Sequence, residues 1–354
     1  MIRLGTRIPI PLLLILFALV SANGQNTDIR YGMTVPADVR LVYERGINFL
    51  AQSQLDDGSW TTNASSRGSN KNGVNALCLM AFLASGEDPN FGDHQTNVSR
   101  AIRVIITGQN PRTGFIPDNM YEHGFAMLAL AEAYGAVDDS TIWEPNSDDS
   151  KRRSIGSSLE LAVRAAVTAQ KNNPWGGWRY SPTDTTADTS VTGAVLVGLL
   201  AARNAGLEVP DQSIDKALVY YKGMTSEVGA VGYSGGLGGF GNSMSRSSIA
   251  TLVYAIGKRQ DWPEYPATAK FIASHLDHHE TTWPFYYRYY VAQALYQSDE
   301  TAWNNWNRET ARLLKSMQNA DGSIGKSEHG PAYSTAMSLL ALALNFRFLP
   351  IYER

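Results

Sequence analysis

Cysteine is nearly absent: the 354 residues contain one, Cys78, inside the apolar run VNALCLMAFL. A single thiol excludes an intramolecular disulfide and any zinc cluster built on several thiolates. Within an apolar run it reads as a small core residue. Charge is scarce too: 18% of residues are charged and the net charge is −3. No basic field is available to draw nucleic acid or an anionic membrane surface. Alternating runs long enough for strands are missing, which excludes an extended sheet. What is plentiful is apolar residues, 44% of the chain, ample for a large core.

Long apolar stretches are also rare, and one of the few opens the chain. Arg3 and Arg7 precede the apolar residues 8–20, and both Val20-Ser21-Ala22 and Ala22-Asn23-Gly24 fit a small-residue cleavage site. The run is too short to span a bilayer and reads as a signal-peptide core. The expected organisation is a signal peptide, 1–24, cleaved after Ala22 or Gly24, then a single domain, 25–354. The expected product is exported, periplasmic or secreted, with no transmembrane span. Without disulfides, its core alone must stabilise it.

The segment 173–210, NPWGGWRYSPTDTTADTSVTGAVLVGLLAARNAGLEVP, sets the organisation. A Trp- and Gly-rich turn leads through a polar Asp/Thr stretch into a long apolar helix. Read by apolar period, the unit recurs six times, each copy preceded by another helix. The first helices are expected at 42–50, 101–107, 159–170, 214–224, 267–275 and 307–317. The second are expected at 74–84, 122–134, 191–205, 247–256, 285–296 and 332–348. The second helices, with FAMLALA, LVGLLAA and AMSLLALAL, are apolar nearly all round, as in helices buried on all sides. The first helices carry an apolar stripe and a charged face. An open solenoid would need polar capping repeats at its ends, but the last helix is among the most apolar. The expected fold is therefore all-α: a closed α/α toroid of six helical hairpins, with an inner and an outer ring.

The turn Gln54-Leu55-Asp56-Asp57-Gly58-Ser59-Trp60 resembles the repeat of the squalene–hopene cyclase and protein prenyltransferase superfamily. Residues 109–115 and 318–324 are similar, with Phe115 and Ile324 at the Trp position. GGWRY, DTSVTG, MYEHGFAMLALAEAYG and AYSTAMSLLAL resemble bacterial exported proteins carrying prenyltransferase or squalene cyclase repeats. The resemblance covers all six units and implies the toroid. Its catalytic signatures are incomplete here. The cyclases' acidic motif corresponds to 184–190, where Asp188 stands at the helix start without the neighbouring carboxylates. The prenyltransferase zinc site needs a Cys that this chain places mid-helix, and the thioester motif Gly-Cys-Gly-Glu-Gln of a third group of similar toroids is missing.

With all turns pointing one way, the inner helices begin at one rim, where their free N–H groups converge. Those starts are rich in aromatic and polar residues. Asp188 and His123 are the catalytic candidates. Tyr121, Glu122, Arg246, Tyr286, Tyr287, Tyr290 and Tyr333 are the ligand-binding candidates, forming an aromatic funnel with a few polar groups. Each has a structural alternative: Asp188 as a helix cap, His123 as a hydrogen-bonded framework residue, the tyrosines as interhelical packing. Trp60, Trp175 and Trp178 are expected to pack between the layers. His275 and His279 stand four apart but lie at the end of an outer helix, where imidazolium suits the dipole. No metal site and no cofactor is expected. The glycine-rich 233–243 lacks the Gly-Lys-Ser/Thr ending of a phosphate loop and reads as a lid over the rim or as a long turn.

Three functions compete. The first is an exported toroid whose cavity binds an apolar, isoprenoid-like or mixed small molecule, or a protein partner. The second is a terpene cyclase-like enzyme using Asp188. The third is a carbohydrate-active enzyme, glycosidase or lyase, with Glu122 and Asp188 as its carboxylates.

Overall fold

Twelve α-helices, in six consecutive pairs, account for most of the described residues. The computed structural model describes residues 35–62, 71–143, 151–235 and 243–352. The expected signal peptide, 1–24, and the centre of the glycine-rich segment, 236–242, lie outside the described residues. The pairs are α1 (Ala37–Ser53) with α2 (Lys71–Leu83), α3 (Gln95–Gly108) with α4 (Met120–Ala133), and α5 (Ile155–Lys171) with α6 (Thr189–Asn204). Then come α7 (Asp211–Met224) with α8 (Met244–Ile256), α9 (Glu264–Ala273) with α10 (Pro284–Ser298), and α11 (Glu300–Met317) with α12 (Pro331–Leu342). Among the described residues there are no strands, only isolated bridges.

The even helices form the inner ring. Each packs on the next, α2 on α4 through to α10 on α12, and α12 packs back on α2. Outside, each odd helix leans on the inner helix of the preceding pair, and α11 meets α1 at the seam. The expected closed α/α toroid of six hairpins is what the chain forms. Its division of labour follows from composition. In α6 every residue from Thr189 to Ala202 except Ser190 is buried, whereas α11 buries only Trp303, Asn307, Thr310, Ala311 and Leu314, at three- and four-residue spacing. Each fully buried Leu or Ile contributes about 1.5–3 kcal/mol.

The turns join neighbouring units by a repeated device. Gln54, Gln109, Gln170 and Gln318 each donate Nε2–H to a carbonyl of their own turn and to a carbonyl of the next outer helix. The last of these, Gln318 to the Val42 carbonyl at 2.9 Å, closes the ring. The turn glycine completes the joint: Gly322 has φ +93° and lies so close to α1 that a Cβ would stand 2.3 Å from the Arg45 carbonyl oxygen. Trp60 and Trp178 are buried and donate their indole N–H to the Leu50 and Ala166 carbonyls, each at 2.8 Å. Trp175 departs from the expected interlayer role and is 50% exposed, because Gly176 after it, at φ +80°, makes the close approach to α7 instead.

Helix boundaries differ from expectation as well: α1, α3 and α11 begin earlier, at Ala37, Gln95 and Glu300, and two helices end sooner. The final helix ends at Leu342 rather than 348; a 3-10 turn, Ala343–Asn345, follows, and Arg347 at φ +59° ends helical continuity. α9 stops at Ala273, so His275 and His279 share no helical face. His275 instead stacks on Phe271 and bonds its carbonyl at 2.7 Å. Among the described residues no cluster of His, Cys, Asp and Glu could hold a metal ion, and no helix is long and apolar enough to cross a membrane.

Candidate functional site

Because the inner helices all run the same way, their first turns meet at one mouth of the ring. There they surround an open cavity of about 820 Å³ to which all six contribute. The starts are locally determined. Asn119 caps α4 by accepting from the Tyr121 and Glu122 amides, Asp188 caps α6, Ser243 caps α8, and proline opens α10 and α12. Away from this mouth, Ile351 and Tyr352 are buried: Gln297 donates to the Tyr352 carbonyl at 2.8 Å, and the Ile351 amide donates to Glu132.

Of the residues expected at the site, Tyr121, Glu122, Arg246, Tyr286 and Tyr333 line this cavity. Glu122 is recessed in its wall. Its carboxylate accepts from the Gly73 amide and from Asn119 Nδ2, each at 3.2 Å. Burial raises its pKa to about 7, and these donors offset only part of the effect. Tyr121, Tyr286 and Phe125 make an aromatic floor, with ring centroids 5.1–6.2 Å apart along the chain of contacts. The Tyr286 hydroxyl is buried, facing Ser190 and Tyr121 without closing a hydrogen bond of ordinary geometry. Arg246 donates Nε–H to the Val231 carbonyl at 2.8 Å.

The structure places the other four expected residues elsewhere. His123 is fully buried; its Nδ1 accepts from the Ile116 amide and its Nε2 bonds the Ala162 carbonyl, each at 3.0 Å. Both ring nitrogens are committed to the backbone, and burial lowers the pKa to about 4. Asp188 is likewise buried behind the wall. One oxygen caps α6 through the Val191 amide at 2.8 Å, while the other makes no hydrogen bond of ordinary geometry, with the Ser190 amide and Tyr233 hydroxyl in electrostatic reach. Burial raises its pKa to about 6. Tyr290 packs edge-on against Tyr286 and Tyr289, and Tyr287, one residue round the helix, faces His278.

The turns contribute residues that the helix starts alone did not indicate: Tyr180, Tyr233, Glu280, Trp283, Glu328 and His329. Glu280 accepts from the Thr282 and Trp283 amides at 2.8 and 3.1 Å. Burial acts to raise its pKa, but these donors and nearby His278 outweigh it and hold the carboxyl below its ordinary value. Tyr180 and Tyr233 meet hydroxyl to hydroxyl at 3.3 Å. The signal that would have found them is positional: every turn on this face leads into an inner helix.

Comparison with known proteins fits this geometry into a wider architecture. No protein-family model and no curated protein sequence matches the chain. Among solved structures, the GH76A alpha-1,6-mannanase from Salegentibacter sp. superposes with a TM-score of 0.64 at 10% identity, covering 86% of this chain and 98% of that one. A D-mannose isomerase gives 0.63 at 12% identity, covering 89% and 100%. A type II terpene cyclase from Scytonema, in complex with geranylgeranyl dihydroxybenzoate, gives 0.60 at 12% identity, covering 88% and 98%. What they share with this chain is the toroid. Identity this low carries the fold and not the activity.

Proposed function

We propose that the chain is an exported carbohydrate-active toroid that holds a glycan in the rim cavity, with Glu122 as proton donor. The observation that carries this reading is the presence, in one aromatic-walled cavity, of a carboxyl whose pKa burial raises to about 7 and a carboxyl held below its ordinary pKa by hydrogen-bond donors. Glu122 is the first and Glu280 the second. Two carboxyl groups pushed in opposite directions are the division that glycosidic bond cleavage needs. In the hydrolytic form of the reading, Glu122 gives its proton to the bridging oxygen as the bond to the anomeric carbon breaks. Water forms the new bond to that carbon and loses a proton to Glu280.

The lining supports a polyhydroxylated ligand over a hydrocarbon. Tyr and Trp rings offer faces for sugar C–H surfaces, and Arg246, Asn119, Ser190 and the carboxylates offer hydrogen bonds. An isoprenoid chain would strip water from those polar groups without replacing it, at a cost of about 1–3 kcal/mol each. The mannanase and mannose isomerase among the fold neighbours are in keeping with a sugar ligand. Asp188, the acid of the cyclase-like alternative, caps α6 outside the cavity lining, so Glu122 takes the acid's place in either reading.

One observation favours the cyclase-like alternative: the floor of Tyr121, Phe125 and Tyr286, whose faces would stabilise a carbocation. The test separates the two. Purified protein is incubated with neutral manno- and gluco-oligosaccharides, reducing ends are counted, and lipid extracts of the protein are analysed by mass spectrometry. Cleavage by the wild type that falls about 10²-fold or more in Glu122→Gln supports the glycan reading. A co-purifying isoprenoid with no sugar bound or cleaved overturns it.

A further inference from the structure

A second cavity of about 290 Å³ adjoins the rim cavity, and the two share Trp283, Glu328 and Tyr333 as a common wall. Trp283 is the notable member of that wall. It is 44% exposed, yet it is held on several sides. Its ring stacks on His329 at 5.5 Å between centroids and 11° between planes. His329 in turn packs edge-on against Tyr333 at 4.9 Å. The Trp283 and Thr282 amides are both fixed on Glu280, and Pro284 follows at the first position of α10.

Leaving a large indole in water forgoes the stabilisation its burial would bring. Fixing it by stacking and by two backbone hydrogen bonds removes the freedom that exposure normally leaves. A rigid, half-exposed aromatic plate on the divide between two cavities is what a ligand crossing that divide can stack on at small entropic cost. Beyond the plate, Thr281, Thr282, Ser327, Lys326 and Glu328 supply hydroxyl, ammonium and carboxylate groups. Such a wall suits a ring with an apolar face and a hydroxylated edge.

The geometry points to a second sugar subsite in this smaller cavity, with Trp283 as the platform over which one glycan chain passes from the rim cavity to the annex. The inference rests on the glycan reading and makes it narrower: the ligand is an oligosaccharide or polysaccharide, bound across at least two units, and not a free monosaccharide. Trp283 is a binding and specificity residue here, placed by Glu280 and His329.

The test is calorimetric titration of α-1,6-manno-oligosaccharides and malto-oligosaccharides of one to four units into the full protein and two variants. Thr282→Trp places bulk in the annex from an exposed position that carries no core packing, and Trp283→Ala removes the platform. Wild type is expected to gain at least tenfold in affinity between one unit and four. Thr282→Trp is expected to abolish that gain, and Trp283→Ala to weaken four-unit binding at least tenfold. Sugar binding that is independent of length, or a length gain that survives Thr282→Trp, overturns the subsite and leaves the glycan reading standing. Absence of binding by every sugar overturns both. Should Trp283→Ala fail to fold, Thr282→Trp decides alone.

Discussion

The Glu122 carboxylate accepts the Gly73 amide at 3.2 Å, joining the first turn of α4 to the first turn of its neighbour α2. The contact has no room to spare: a Cβ on Gly73 would stand 3.0 Å from Glu122 Cγ. Gly73→Ala therefore requires the Glu122 side chain to give by a few tenths of an ångström. A displacement of about 1 Å can cost up to about 10²-fold in rate. Steady-state kinetics on a cleaved oligosaccharide should show kcat falling, by less than that ceiling, with the melting temperature nearly unchanged. An unaltered kcat would separate Glu122 from the chemistry.

Stability should decline as pH rises, because three buried carboxyls bind protons more tightly in the fold than in the unfolded chain, Asp188 among them, raised from 3.8 to about 6 by burial. Glu122 is raised from 4.5 to about 7 and Glu132, against the Ile351 amide, from 4.5 to about 8, both chiefly by burial. Their contributions are complete below pH 4.5 and are lost as pH climbs through about 7 and about 8. Glu132→Gln should raise the melting temperature at about pH 9 and change it little at about pH 4.5. His123 acts in the opposite sense: lowered from 6.5 to about 4, its contribution is present above pH 6.5 and is lost as pH falls through about 4. Melting curves across pH for wild type and Glu132→Gln check both limbs.

The ring seam gives a third prediction. Gln318 and Gly322 tie the last turn to α1. Gln318→Ala should cost about 1–3 kcal/mol, about 0.5–1.5 for each of the two hydrogen bonds it removes. Gly322→Ala should cost more, since the new Cβ meets the Arg45 carbonyl and the residue stays at positive φ. Trp60→Ala, which empties an interlayer position, should cost about 3–5 kcal/mol. Chemical denaturation measures all three, and a loss below about 0.5 kcal/mol for Trp60→Ala would contradict its packing role.

Asp188→Ala should cost about 0.5–2 kcal/mol, as for other lost helix caps, and Asp188→Asn less. Neither should change oligosaccharide affinity, because the carboxylate caps α6 behind the wall. A large loss of affinity with unchanged stability in Asp188→Asn would return Asp188 to the site.

The ring was legible in the sequence because one physical pattern is repeated: Gln for the stitch, Gly for the close approach, Trp or another apolar residue for the wedge, then an all-apolar helix. That Gln54, Gln109, Gln170 and Gln318 reach into the next unit was not legible, since a periodic pattern shows which residues recur and not what they touch. The site was legible in part for the same reason. Helix starts pointed to Tyr121, Glu122, Arg246, Tyr286 and Tyr333, but two successive residues of a helix point about 100° apart. His123 and Tyr287 thus turn away from the cavity while Glu122 and Tyr286 face it. Trp283 and His329 were hidden in turns of no recognisable motif, and only the folded ring brings them together.

The central claim is that the rim cavity is a glycan site organised around Glu122. The most direct test is a crystal structure of Glu122→Gln soaked with α-1,6-mannotetraose and, separately, maltotetraose. The account predicts a sugar chain in the rim cavity with a ring on Trp283 and a bridging oxygen within hydrogen-bonding distance of the substituted side chain. A cavity that stays free of sugar at saturating concentration, or that retains a lipid in its place, would contradict it.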